Sequence, residues 1–172
     1  MSKNLVTPAE FFNPDRQEAS LALIACPGAE EFTKLVDQHL INWGKEVGMN
    51  KDTFIVACDC PRFQSGDAKG LVKESVRGHD VFLVVDPGNY SLTYNLFGNT
   101  NHMSPDDHFA NLKRLIQAVA GRAHRVSVIM PSLYGGRQHR RMSRESLDAA
   151  VALQELQAMG VQHVITFDAH DP

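Results

Sequence analysis

Residues 80–85, DVFLVV, constrain the fold more than any other stretch. The run is continuous, apolar and β-branched at its end, and such a run belongs inside a parallel sheet covered on both faces. The flanking sequence supplies what that sheet needs. Residues 21–25 (LALIA), 53–59 (TFIVACD), 126–130 and 163–167 read as further strands, with 71–72 a short one. Between them lie three helical patterns. Residues 29–45 carry Phe32, Leu35, Val36, His39, Leu40 and Trp43 as a stripe, with His39 a packed or edge histidine. Residues 104–120 open on Ser104, Pro105, Asp106 and Asp107, a capped and acidic helix start, and carry Phe109, Leu112, Leu115, Ile116 and Val119. Residues 144–159 carry Leu147, Ala150, Val151, Gln154 and Ala158. Residues 3–16 show no clear periodicity. Repeated strand–helix–strand units predict an α/β fold, a mostly parallel sheet flanked by helices, in a single domain over residues 1–172.

Bulk properties narrow the function. The chain has 172 residues, 43% hydrophobic and 22% charged, enough for one core. Its net charge of −3 gives no global basic field, so neither nucleic acid nor an anionic membrane is the expected partner. No apolar run approaches the roughly 20 residues a bilayer span needs, and the first residues lack the apolar region of a signal peptide. Three cysteines without an export signal predict free thiols and a cytoplasmic location. Cys58 and Cys60, spaced C-x-C on a strand, point to one face; with no second ligand pair they read as structural.

Against that acidic background, residues 125–144 (RVSVIMPSLYGGRQHRRMSR) stand out. Pro131 stops a strand, Tyr134-Gly135-Gly136 opens a loop, and Arg137, Arg140, Arg141 and Arg144 follow within eight residues. Ligands of open α/β sheets bind at the carboxyl ends of strands. Guanidinium groups there suit phosphate oxygens because they are planar, permanently charged and bidentate. The last strand ends on Asp168-Ala169-His170 at the same sheet edge, and carboxylate plus imidazole can accompany a divalent ion.

Residues 86–104 fit no regular pattern and are long for a structureless connection. They predict either a flap or a small hairpin, with 90–97 the candidate, that extends the domain or meets a neighbour. His102 and His108 flank two aspartates there, but their spacing matches no compact metal site.

Several motifs then fall into a familiar order. Arg62-Phe63-Gln64-Ser65-Gly66-Asp67 is followed by Glu74-Ser75-Val76-Arg77-Gly78-His79-Asp80-Val81-Phe82. Next come the loop from Pro131 through Tyr134 to Arg137, Gln138 and Arg140, and the strand ending Asp168-Ala169-His170. The chain resembles the N-terminal half of ribose-phosphate pyrophosphokinase, also called phosphoribosyl pyrophosphate synthetase, over nearly its whole length.

That resemblance implies a phosphoribosyltransferase-like N-terminal domain of an enzyme that transfers the β,γ-diphosphoryl group of ATP to the C1 hydroxyl of ribose 5-phosphate with Mg²⁺. It implies that Arg137, Gln138 and Arg140 contact ATP and that His170 lies on the metal side. It also implies that Phe63, Ser65 and Asp67 form an adenine-binding turn reaching a neighbouring subunit, hence a homo-oligomer. The family's second half, with its basic catalytic loop and its acidic loop for ribose 5-phosphate, has no counterpart in these residues. No catalytic residue is therefore assigned, and the chain alone is expected to be inactive. Four departures accompany the match. Ser65 and the shorter Asp67 stand where acidic residues are usual, His139 where Asp is common and Asp171 where a small residue is usual, and the 86–104 connection is long. A non-catalytic regulatory homologue and a generic nucleotide- or phosphate-binding α/β module are the alternative readings.

Overall fold

The computed structural model describes residues 6–15 and 17–170; Asp171 lies outside them. In chain order the first elements are α1 (Pro8–Phe11), β1 (Ser20–Ala25), α2 (Glu30–Glu46), β2 (Cys58–Asp59), β3 (Leu71–Val72) and β4 (His79–Val84). They are followed by β5 (Thr93–Leu96), β6 (Asn99–His102), α3 (Pro105–Val119), β7 (Arg125–Ile129), α4 (Asp148–Ala158) and β8 (His163–Ile165). Strands β1, β4, β7 and β8 form a parallel sheet in the order β1-β4-β7-β8, in register at Ile24↔Leu83, Leu83↔Val128 and Val128↔Val164.

The 80–85 run occupies the position its composition demands. Strand β4 pairs on both edges, with β1 and β7. Its Val81 and Leu83 enter one core with Ile24, Val128, Leu112, Ile116 and Leu156, and its Phe82 faces a second core around Leu23, Leu40, Phe12 and Phe54. Burying each such aliphatic or aromatic side chain stabilises the fold by about 1.5–3 kcal/mol.

Helix α3 follows its sequence closely. Ser104 and Asp107 form a reciprocal capping box, Pro105 starts the first turn, and all five apolar stripe residues are buried. Helix α2 presents part of the expected face and α4 a different one. In α2 Val36, Leu40 and Trp43 pack inward as expected, but Thr33, Asp37 and Gly44 are buried with them, while Leu35 is 72% exposed. The reason is polar: the Asp37 carboxylate accepts from the Thr53 hydroxyl at 2.8 Å and from the Phe54 N–H at 2.7 Å, stitching the helix to residues 53–56. In α4 the buried residues are Ala149, Ala152 and Leu156, Val151 is half exposed, and residues 144–147 are not helical. Small alanines face inward there because the backbone of Gly135 comes close to the start of the helix.

Residues 53–59 are only partly a strand. Ile55 bridges Leu23 in parallel, with the Leu23 N–H donating to Phe54 and the Val56 N–H to Leu23, and β2 turns away to pair with β3. Cys58 and Cys60 both pack against the main core. Burial pushes the Cys58 thiol up to about 11 and the Cys60 thiol up to about 12, so both stay protonated at neutral pH. The lead-in before β1 contains the short helix α1, capped by Thr7 and Glu10, which sets Phe11 and Phe12 against Trp43 and Phe54. His39 sits exposed at the edge of α2, tilted over Trp43.

The 86–104 connection does contain a hairpin, placed later than 90–97. Strands β5 and β6 pair antiparallel through a two-residue turn at Phe97-Gly98.

Candidate nucleotide site at the strand ends

The carboxyl ends of β4 and β7 open into a cleft of about 540 Å³. Pro87 and Gly88 form its β4 side, the stretch from Ser132 to Gln138 its β7 side, and Asp106 and Asp148 come from the starts of α3 and α4. The sequence builds the β7 loop in three steps. Pro131 ends the strand, and the loop folds back through bonds from the Gly136 N–H to Leu133 and from the Gln138 N–H to Gly135. Gly135 has φ +69°, and a Cβ there would meet the backbone of Asp148 and Ala149 at 3.1 Å. A Cβ on Gly136 would meet the Leu133 carbonyl at 2.9 Å. Both glycines are required by close approach.

Tyr134 pins this loop to α3. Its ring stacks on Phe109 at 4.3 Å and its hydroxyl donates to Asp106 Oδ1 at 2.7 Å. That hydrogen bond, with burial and the neighbouring negative charge, pushes the phenol up to about 12. Tyr134 therefore stays a neutral donor throughout the physiological range.

Of the predicted residues, Arg137 and Gln138 line the cleft, and Arg137 is exposed. The Gln138 side-chain amide also braces the loop, donating to the carbonyls of Arg140 and Ser146. Arg140, Arg141 and Arg144 stand exposed beyond it. His170 is brought close: the Leu133 N–H donates to Asp168 at 3.0 Å, and the His170 ring lies 5.7 Å from that of His139, edge to face. The backbone at His170 has φ +64°, held by its N–H on Asp168 Oδ1.

Phe63, Ser65 and Asp67 are not part of this cleft. They form a tight turn in which the Phe63 N–H donates to Asp67 at 2.7 Å and the Ser65 hydroxyl to the Asp67 carboxylate at 2.8 Å. Arg62 anchors the turn. Its guanidinium donates to the Gly66 carbonyl and to Asp107 Oδ1, and lies 4.0 Å over the Tyr94 ring. Burial alone would raise the Asp107 carboxyl, but the hydrogen bonds from Ser104 and the charge and bond of Arg62 outweigh it, leaving it below the usual carboxylate range.

The sequence did not assign Asp106 or Asp148 to the site. Asp106 reads as an acid at a helix start and Asp148 falls inside the expected 144–159 helix, and only the fold brings the two to one cleft. His102 and His108 have other partners: His102 stacks on Tyr90, and the buried His108 is bonded to the Asn89 carbonyl at 2.7 Å. Among the described residues no helix is long and apolar enough to cross a membrane.

The family described as the N-terminal domain of ribose phosphate pyrophosphokinase matches residues 21–160. The chain belongs to that family. A ribose-phosphate pyrophosphokinase from Staphylococcus epidermidis is 26% identical over 164 residues, covering 94% of this chain and 43% of the relative. One from Bacillus caldolyticus is 27% identical over 117 residues, covering 67% and 33%, and one from Schizosaccharomyces pombe is 28% identical over 120 residues, covering 67% and 26%. The crystal structure of phosphoribosylpyrophosphate synthetase from Mycobacterium smegmatis superposes with a TM-score of 0.62 at 22% identity, over 86% of this chain and 42% of that one, and so shares the fold. The chain spans less than half the length of these ribose-phosphate pyrophosphokinases.

Proposed function

We propose that these 172 residues form the ATP-side half of a ribose-phosphate diphosphokinase, which transfers diphosphate from ATP to C1 of ribose 5-phosphate. The observation that carries this reading is the loop bearing Arg137 and Gln138, set at the carboxyl ends of β4 and β7 in a chain of this family. Diphosphoryl transfer asks mainly for positioning and charge neutralisation. Arg137 and Gln138 would orient the polyphosphate, with Arg140 closing over it from the exposed side. Phe63, Ser65 and Asp67 would hold adenine for the cleft of a second copy, which makes the working form a homo-oligomer, in the cytoplasm.

The donors in this cleft fit a magnesium ion carried in on the nucleotide rather than one caged by protein. No group of three His, Cys, Asp or Glu side chains among the described residues is arranged to hold an ion. Mg²⁺ accepts that situation, keeping several waters and taking one or two protein ligands beside substrate phosphates. His170 is the residue that would lie on its side of the polyphosphate. Bound there, the ion would neutralise charge developing on the transferred group.

Ribose 5-phosphate would be held by residues equivalent to the remainder of the relatives' length. The 172-residue chain is therefore expected to bind ATP·Mg²⁺ and to release no AMP when ribose 5-phosphate is added. Calorimetric titration together with an AMP-release assay checks both halves of that statement. Failure to bind ATP would sink the nucleotide reading, and turnover by the chain alone would sink the division of labour.

A further inference from the structure

The turn at Phe97-Gly98 is made from the wrong residue for its shape. It joins β5 and β6 through two residues with φ +47° and +84°, the left-handed pair of a type I′ hairpin. Asn-Gly is the preferred sequence for that turn, and a bulky side chain at positive φ is a genuine outlier. Phe97 gains nothing from burial either, being 77% exposed. A residue that strains its backbone and keeps its ring in water is explained by neither folding nor packing, and such strain gathers at functional positions.

Its surroundings say what the ring faces. The Phe97 N–H donates to the Gln64 carbonyl at 3.3 Å, and a Cβ on Gly66 would meet Leu96 at 2.9 Å, so the hairpin tip lies against the tip of the 63–67 turn. Phe63, on that turn, is itself 54% exposed. Beside these two residues in the turn and hairpin stand exposed amide and hydroxyl side chains, Gln64, Ser65, Asn95 and Asn99, with Asp67 the acidic residue of the turn. Arg62, the cation that anchors the turn, is committed to Asp107, the Gly66 carbonyl and the Tyr94 ring. A neutral planar heterocycle with hydrogen-bonding edges suits both the rings and the amide and hydroxyl groups.

We infer that Phe97 is a second base-contacting residue, extending the Phe63 turn into a two-ring surface for the purine of the nucleotide. The inference rests on the reading of the 63–67 turn as the nucleobase element, and it makes the 93–102 hairpin a specificity element of that site. The base is then read at the turn and hairpin tip, and the phosphates are read at the Arg137 loop.

Phe97→Asn is the decisive variant, because Asn suits the turn while the aromatic face is lost. Dissociation constants for ATP·Mg²⁺ and for adenosine, measured on the full chain with Phe97→Asn, Phe63→Ala and Arg137→Ala beside the wild type, give the test, with sedimentation velocity and thermal melting run on each. Stacking of one base on an aromatic ring supports a loss of about tenfold. Phe97→Asn should weaken ATP and adenosine alike by that factor, with melting temperature and self-association unchanged or raised. Arg137→Ala should weaken ATP alone. Unchanged affinity in Phe97→Asn with weakened affinity in Phe63→Ala overturns the inference and leaves the turn reading intact. Loss of self-association at unchanged adenosine affinity also overturns it, making Phe97 a subunit contact. No effect of Phe63→Ala, or no adenosine binding by the wild type, overturns the turn reading and the inference together.

Discussion

The cleft at the ends of β4 and β7 and the unit formed by the 62–68 turn with the 93–102 hairpin are built on opposite plans. The cleft grows directly out of the buried sheet. Its loop begins where β7 ends, is closed by two glycines against the start of α4, and is pinned to α3 by Tyr134. The turn and hairpin hang off the body, and one side chain, Arg62, joins turn, hairpin and α3. The cleft proposed for polyphosphate is thus held by packing, whereas the element proposed to grasp a base is held at a node. That contrast suits a projecting element able to adjust to a second copy.

Four perturbations sharpen or break the contrast. Arg62→Ala has the largest expected effect, because it removes a largely buried charge pair and leaves Asp107 partly uncompensated. A loss of about 2–3 kcal/mol is expected. Amide exchange should rise together across residues 62–68 and 93–102 and stay unchanged in β4 and β7; a uniform rise across the sheet would erase the distinction. Gly135→Ala should cost about 1–2 kcal/mol, since the residue needs φ +69° and has no room beside Asp148 and Ala149. Here urea denaturation should report the loss, and ATP affinity should fall with it.

Tyr134→Phe keeps the stack on Phe109 but drops the bond to Asp106, with an expected cost of about 1 kcal/mol. Because the phenol is raised in the folded state, its contribution holds below the unfolded value of about 10 and is lost as pH rises toward and through the folded one. The wild type should therefore lose stability relative to the Phe variant above about pH 10, and parallel melting curves up to pH 11 check this. The smallest effect concerns acid. Asp107 is depressed in the folded chain, so its contribution is complete above the unfolded carboxylate value of about 4 and fades as pH falls through the folded one. Protection in the turn and hairpin, taken relative to the intrinsic exchange rate at each pH, should fall on going from pH 5 to pH 3, and Arg62→Ala should blunt that fall.

The frame of the molecule was legible because its signals are local. Residues 80–85 announce a strand covered on both faces, and the Ser104 cap with the Phe109-to-Val119 stripe defines α3. The face of α2 was legible only in part and that of α4 not at all, because much of what turns inward there is polar or small. Asp37 is buried by partners 16 and 17 residues away, and Ala149 faces in because Gly135 approaches it. The same division runs through the site. Arg137 and Gln138 could be read from a strand followed by Gly-Gly, whereas Asp106 and Asp148 meet in the cleft only through topology. The hairpin was foreseen but centred too early, since Phe-Gly is a weak signal for a turn that prefers Asn-Gly.

The central claim is that the glycine-closed loop at the end of β7 is a polyphosphate clamp, with Arg137 its principal charge. Titration of ATP·Mg²⁺ into the wild-type chain and Arg137→Ala by calorimetry addresses it directly. Loss of a charge-assisted contact predicts affinity weakened about tenfold or more, with the melting temperature unchanged because Arg137 is exposed. Equal affinity in the two proteins would contradict the assignment of this cleft to the nucleotide.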